Sequence, residues 1–189
     1  MISTIICTAF GFFCTPGQAP GHEDFYRQQR EAMALPPIIG RATVSDGDTI
    51  EISGRKIRLQ GIDAPETSQL CEEADGKHWR CGGAATLALD AMIGGRLVTC
   101  QQDERDMEDR YGRALALCRV GDLALNLEMV RRGHAVAYHR YLLWRDGRDR
   151  PYKKAFESAE IEARLARIGL WQGRFDLPEI WRAARQRRQ

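Results

Sequence analysis

The sequence predicts an α+β fold: a small closed barrel of five short, mostly antiparallel strands with three helices packed on it. Two observations carry this reading. Short β-like runs separated by turn residues fill much of the chain from Ile38 onward, and three segments of helical periodicity, each followed by glycine, interleave with them. The order β-β-β-α-β-β-α-α suits a sheet closed on itself. A length of 189 residues suffices for one core and not for two large domains.

Ile38 to Val44 and Thr49 to Ile52 read as the first two strands, and Ser53-Gly54-Arg55 is the turn into a third over Lys56 to Ile62. Ala84 to Ile93 is the first helix; Leu87, Met92 and Ile93 are its core candidates and Gly94-Gly95 its stop. Arg96 to Cys100 and Ala114 to Val120 flank the polar stretch Gln101 to Arg113 as a long-looped hairpin, with Cys100 and Cys118 symmetric across it. Asn126 reads as the N-cap of a helix that closes on Arg131-Arg132 before Gly133. Tyr152 to Ile168 is the longest helix, with Phe156, Ile161 and Leu165 as core positions and a stop at Gly169. Leu170-Trp171 and Ile180-Trp181 read as apolar rings laid back on the body rather than as base-stacking platforms. There is no internal repeat and no low-complexity segment.

Composition narrows the function classes. The apolar fraction of 43% is ordinary and the charged fraction of 29% slightly high. A net charge of +2 excludes a polycation that coats nucleic acid indiscriminately. Arg174, Arg182, Arg185, Arg187 and Arg188 load residues 174–189, which read as a solvated basic tail. Ile2 to Phe13 is nearly all apolar, too short to span a bilayer as a helix and the length of a signal-peptide core. Gly17-Gln18-Ala19 supplies a small-x-small cleavage site, although no Lys or Arg precedes the apolar run. The expected organisation is a signal peptide over 1–19, a flexible lead over 20–37 and the folded domain over 38–173, in an exported protein, periplasmic or secreted.

Cys7 and Cys14 would leave with the signal. Cys71, Cys81, Cys100 and Cys118 form an even set, which in an exported chain suggests disulfides with three possible pairings. Pairing Cys71 with Cys81 closes a short loop, and pairing Cys100 with Cys118 staples two neighbouring strands. A zinc site built on Cys71, Cys81 and His78 lacks both a Cys-x-x-Cys pair and a fourth ligand.

Three short blocks carry the chemistry. Asp46-Gly47-Asp48-Thr49 is by itself an ordinary hairpin turn, and Asp63-Ala64-Pro65-Glu66 an ordinary acidic turn. Arg58, on a strand otherwise reading Ile57, Leu59 and Ile62, either faces solvent or is held inside for a purpose. Tyr111-Gly112-Arg113 sets a second arginine directly after a turn glycine. Together these carboxylates and arginines are the inventory for holding a hard cation, activating a water and neutralising a phosphoryl group.

Jointly, in this order and spacing, the blocks resemble the staphylococcal nuclease (thermonuclease) family. The resemblance runs from about Ile38 to Trp171 and includes Asn126-Leu127-Glu128-Met129-Val130-Arg131-Arg132-Gly133, Ala137-Tyr138 and Gly169-Leu170-Trp171. It implies an OB-type, SNase-like barrel and a calcium-dependent endonuclease that hydrolyses DNA, and RNA as well, to 3′-phosphate products. Carried over by position, Asp48, Asp63 and the carbonyl of Ala64 would be calcium ligands, and Asp46 would shape the turn and its field. Glu66 would stand behind the attacking water as general base or positioner. Arg58 and Arg113 would grip the scissile phosphate and the leaving oxygen, and Tyr111 and Tyr138 would line the nucleotide pocket. His134 and His139 read as structural. The Cys71 to Cys81 stretch departs from the family pattern, where a flexible lysine-bearing loop stands.

No stable protein partner is implied, and a monomer is expected. The alternatives are a non-catalytic module of the same fold that binds nucleic acid, and an envelope- or exopolysaccharide-associated role. The full set Asp48, Arg58, Asp63, Glu66 and Arg113 argues against decay to a binding module.

Overall fold

The computed structural model describes residues 35–102, 108–144 and 147–187. The expected signal peptide and nearly all of the lead lie outside the described residues. Strands β1 (Ile38–Asp46), β2 (Thr49–Ile52) and β3 (Arg55–Leu59) form a meander, followed by the short β4 (Ile62–Asp63) and the small ribbon β5 (Cys71–Glu72) and β6 (His78–Trp79). Helix α1 (Cys81–Ile93), strands β7 (Leu97–Gln102), β8 (Ala114–Val120) and β9 (Leu123–Ala124), and helix α2 (Leu125–Arg131) come next. Strand β10 (Val136–Ala137) and helices α3 (His139–Leu142) and α4 (Lys153–Ala166) follow, then a 3₁₀ turn over Gly169–Gln172 and helix α5 (Pro178–Gln186).

The barrel is the ring β3-β2-β1-β7-β8, closed by a parallel contact between β3 and β8 that sets Ile57 beside Ala114 and Leu59 beside Ala116. The remaining contacts are antiparallel, with Ile50 opposite Ile57 and Cys100 opposite Cys118. Closure leaves no long unpaired edge in the ring and turns Ile50, Ile52, Ile57, Leu59, Val98, Ala114 and Ala116 into one core. Ala85, Leu89 and Ile93 of α1 and Leu125, Met129 and Val130 of α2 pack against it. Disulfides join Cys71 to Cys81 and Cys100 to Cys118. The second is a cross-strand staple between β7 and β8; the first ties the ribbon to the start of α1.

Several local expectations are corrected. The strand expected over Lys56 to Ile62 breaks at Gly61, which has φ +85°. A side chain there would crowd Leu142 at 3.1 Å and Phe156 at 3.3 Å. The break redirects Asp63 into a pairing with Val136. Asn126 is no N-cap: it lies inside α2, buried, where it accepts from the Cys118 N–H (2.8 Å) and donates to the carbonyls of Gln60 (2.9 Å) and Ala116 (3.0 Å). On α4 the inward face is Phe156, Ala159, Glu160 and Ala163, while Leu165 is 81% exposed and Ile161 is exposed too. At 100° per residue, position 165 lies opposite Phe156 and position 163 beside it. Leu87 is turned outward on α1 for the same reason. Finally, Pro178–Gln186 is helical rather than a solvated tail. Leu170 is buried and Trp171 half-buried, as read from the sequence, whereas Ile180 is exposed.

Candidate active site

The β1–β2 turn, the end of β3 and the β3–β4 break bring their polar residues to one end of the barrel. The β1–β2 register shifts between Val44 and Asp46, so the turn projects both Asp46 and Asp48. Gly47 between them has no room for a side chain, since a Cβ would stand 2.7 Å from that of Ala85 and 2.8 Å from that of Ala64. The turn is thereby pressed onto α1 and the Asp63-Ala64 segment. Gly82 in the first turn of α1 plays the same part for Glu66: a Cβ there would lie 1.7 Å from the Glu66 carbonyl oxygen.

Arg58 is the hub. It is 5% exposed, while Asp48 and Asp63 are 3% and 1% exposed. Its Nη1 donates to Asp48 Oδ1 in a short ion pair and its Nη2 to Asp63 Oδ1 at 2.6 Å. Asp48 also accepts from the Thr49 hydroxyl (3.0 Å) and, through Oδ2, from the Ala64 N–H (3.0 Å). Burial pushes the Asp48 carboxyl up, but the Arg58 guanidinium and these hydrogen bonds outweigh it and hold the group below the usual range. Asp46 accepts from the Asp48 N–H at 3.1 Å, but burial and the charge of Asp48 outweigh that contact and raise it to about 7. Burial also raises Asp63, against the pull of Arg182 and Arg58.

Arg113 reaches the same end from the β7–β8 connection. Asp109 anchors it, accepting from its Nε (2.8 Å) and Nη2 (2.7 Å), and also from the backbone N–H groups of Tyr111 (2.8 Å) and Arg113 (3.0 Å). Burial raises the Asp109 carboxyl, but the Arg113 guanidinium and these N–H donors outweigh it and hold it low. Arg113 Nη1 donates to Thr49 Oγ1 at 3.2 Å, so a continuous chain runs Asp109–Arg113–Thr49–Asp48–Arg58–Asp63.

A cleft of about 1150 Å³ opens over this network. Asp46, Arg58, Glu66, Tyr111, Arg113 and Tyr138 line it, so all but the most buried of the expected residues face one space. Sequence reasoning missed several of its walls. Tyr141 lies edge-on to Tyr138 with ring centroids 5.2 Å apart, and Arg58 Cζ is 6.0 Å from its ring centre. The three-residue spacing of Tyr138 and Tyr141 was the available signal. Asp109 stands two residues before the Tyr111-Gly112-Arg113 block, and that position is the signal that could have found it. Arg182, on α5, also enters the site, with Nη1 2.9 Å from Glu66 Oε1 and Nη2 2.8 Å from Asp63 Oδ2.

The donor set suits a hard divalent cation. Asp48 and Asp63 are held toward each other across one guanidinium, and Asp46 stands close enough to Asp48 for the two charges to oppose each other. Among the described residues, no three His, Cys, Asp or Glu side chains are gathered closely enough to hold a metal by themselves. Main-chain, water and phosphate oxygens would have to complete the shell.

A profile described as staphylococcal nuclease homologue matches residues 56–173. The chain belongs to the staphylococcal nuclease homologue family. Within it, the chain is 37% identical over 157 residues to the succinoglycan biosynthesis protein ExoI of Rhizobium meliloti, covering 82% of this chain and 74% of that one. It is 32% identical over 145 residues to an uncharacterized endonuclease of Haemophilus influenzae, covering 74% and 69%. It is 29% identical over 133 residues to the thermonuclease of Staphylococcus intermedius, covering 68% and 73%. No helix among the described residues is long and apolar enough to cross a membrane.

Proposed function

We propose that the protein is a calcium-dependent phosphodiester endonuclease that hydrolyses DNA and RNA to 3′-phosphate products. The supporting observation is the meeting, at one barrel end and under one cleft, of Asp48, Arg58, Asp63, Glu66 and Arg113 from three separated blocks. Membership of a family with nuclease-named relatives agrees with it.

Asp48, Asp63 and the Ala64 carbonyl would hold the calcium, which when bound supplies charge neutralisation and makes a water more acidic. Glu66, half-buried at the edge of the cleft, accepts the proton of the attacking water. Arg58 and Arg113 donate to the non-bridging oxygens as the water attacks phosphorus in line and the 5′ oxygen departs. Their carboxylate partners fix both guanidinium planes beforehand, so little ordering remains to be done in the transition state. Tyr111 and Tyr138 flank the nucleotide. The two disulfides favour an oxidising compartment and thus an exported protein.

A second reading, an envelope- or exopolysaccharide-associated module, is favoured by the likeness to the succinoglycan biosynthesis protein. Hydrolysis of denatured DNA and of RNA by the purified protein, in calcium and then in excess chelator, separates the two. Cleavage that chelator abolishes, with 3′-phosphate ends, is expected. No cleavage by folded protein on either polymer would favour the second reading.

A further inference from the structure

Helix α5 supplies none of the residues assigned to hydrolysis, yet its Arg182 stands in their midst. Arg182 Nη2 donates to both oxygens of Asp63, at 3.0 and 2.8 Å, and Nη1 to Glu66 Oε1 at 2.9 Å. With Arg58 Nη2 on Asp63 Oδ1 at 2.6 Å, each carboxylate oxygen of Asp63 carries a guanidinium. A cation that takes an oxygen of Asp63 must therefore share it with a guanidinium or displace one, and like charges at that distance favour displacement. Arg182 is the easier one to expel. Its side chain is 32% exposed against 7% for that of Arg58, which is wedged between two buried aspartates.

The attachment of α5 fits such an exchange. Pro178 is its buried residue, and Ile180 is exposed. Upstream, the chain is anchored by the mutual backbone hydrogen bonds of Glu72 and Arg174 (both 2.8 Å) and by Gln69 Nε2 on the Asp176 carbonyl (2.7 Å). Beyond Asp176 the polar ties are Arg182 on Asp63 and Glu66, beside buried Pro178 and half-buried Trp181, and the Glu179 carboxylate acts on Tyr138. Helix α5 is thus held to the cleft through the charge of Arg182 as well as through Pro178 and Trp181, from an anchored base. Through Glu179 and Arg182 it also walls the cleft that Tyr138 and Arg113 line.

We propose that Arg182 is a built-in counter-cation: Arg182 and a divalent cation are mutually exclusive occupants of the Asp63 carboxylate, and cation binding releases Arg182 from Asp63 and Glu66 and α5 from the cleft. The proposal rests on reading Asp48 and Asp63 as cation ligands. Arg182 thereby sets the affinity for the cation. It also keeps Glu66 Oε1 occupied by a guanidinium until the cation arrives.

The test is calcium binding by isothermal titration calorimetry to the full chain and to Arg182→Gln, with amide hydrogen exchange read over residues 178–186. Removing a charge-assisted competitor should tighten calcium binding about tenfold or more. In the wild type, calcium should speed exchange over α5; in Arg182→Gln exchange should be fast already and indifferent to calcium. Arg182→Lys, which keeps the charge and loses the two-pronged grip, should bind with intermediate affinity and serves if the Gln variant does not fold. Equal or weaker binding by Arg182→Gln, or exchange that calcium slows, would overturn this inference and leave the cation site standing. No calcium binding by either folded protein would overturn the cation site, and this inference with it.

Discussion

Asp109 touches no part of the proposed substrate, yet its removal should slow hydrolysis through Arg113. Its side chain is 1% exposed and accepts from Arg113 Nε at 2.8 Å and Nη2 at 2.7 Å, and two backbone N–H groups hold it in turn. Deleting Arg113 itself forfeits a preorganised donor to the developing charge, worth about 3 kcal/mol or roughly 150-fold in rate. Asp109→Ala leaves the guanidinium in place but loses both hydrogen bonds that fix its plane; Nη1 on the Thr49 hydroxyl at 3.2 Å and the Tyr111 ring, 5.4 Å from Cζ, still hold it. About half the Arg113 contribution should go, ~1.5 kcal/mol or roughly tenfold. The assay is kcat/KM on denatured DNA for Asp109→Ala, Arg113→Ala and the double variant. If Asp109 acts through Arg113, the double variant is no slower than Arg113→Ala alone. Additive losses, or an unchanged rate in Asp109→Ala, would refute this positioning role.

Other expectations concern the framework. Asn126→Ala leaves the Cys118 N–H and the Gln60 carbonyl without their side-chain partner, which should cost about 3 kcal/mol and lower Tm by roughly 9 °C; calorimetry checks it. Gly82→Ala forces a methyl against the Glu66 carbonyl, so kcat measured well below Tm should fall along with Tm, and a normal kcat would contradict the proposed seating of Glu66. Burial, with Arg132 nearby, lowers the pKa of His134, so its folded value lies below the unfolded ~6.5. The stability it contributes is complete above pH ~6.5 and lost as pH falls through the folded value. Tm should therefore drop more between pH 7.5 and 5.5 in the wild type than in His134→Gln, and equal drops would contradict it.

Most of the barrel was legible because its signals are local. Thr49–Ile52 and Ala114–Val120 are short, mostly apolar runs that end at turns, and both observed strands have those bounds. The site blocks were legible by resemblance, since each is a short string whose spacing survives folding. What escaped reading depends on partners far along the chain. Gly61 breaks a strand because the residues that crowd it are Leu142 and Phe156. Asn126 resembles a cap until β8 and the Gln60 carbonyl surround it. Leu165 is apolar and was assigned to the core, but the helix turns it outward and small Ala159 and Ala163 make the contact instead. Arg182 reads as one basic residue among several, because its partner Glu66 lies 116 residues earlier.

The central claim is that this end of the barrel performs phosphodiester hydrolysis with Glu66 handling the proton. Its most direct test is Glu66→Gln, chosen because Glu66 is half-buried at the cleft edge and the substitution preserves its shape. With calcium present, turnover of denatured DNA should fall at least ~100-fold, the scale of general-base catalysis, while nucleotide affinity changes little. Turnover equal to the wild type from a folded Glu66→Gln protein would contradict it.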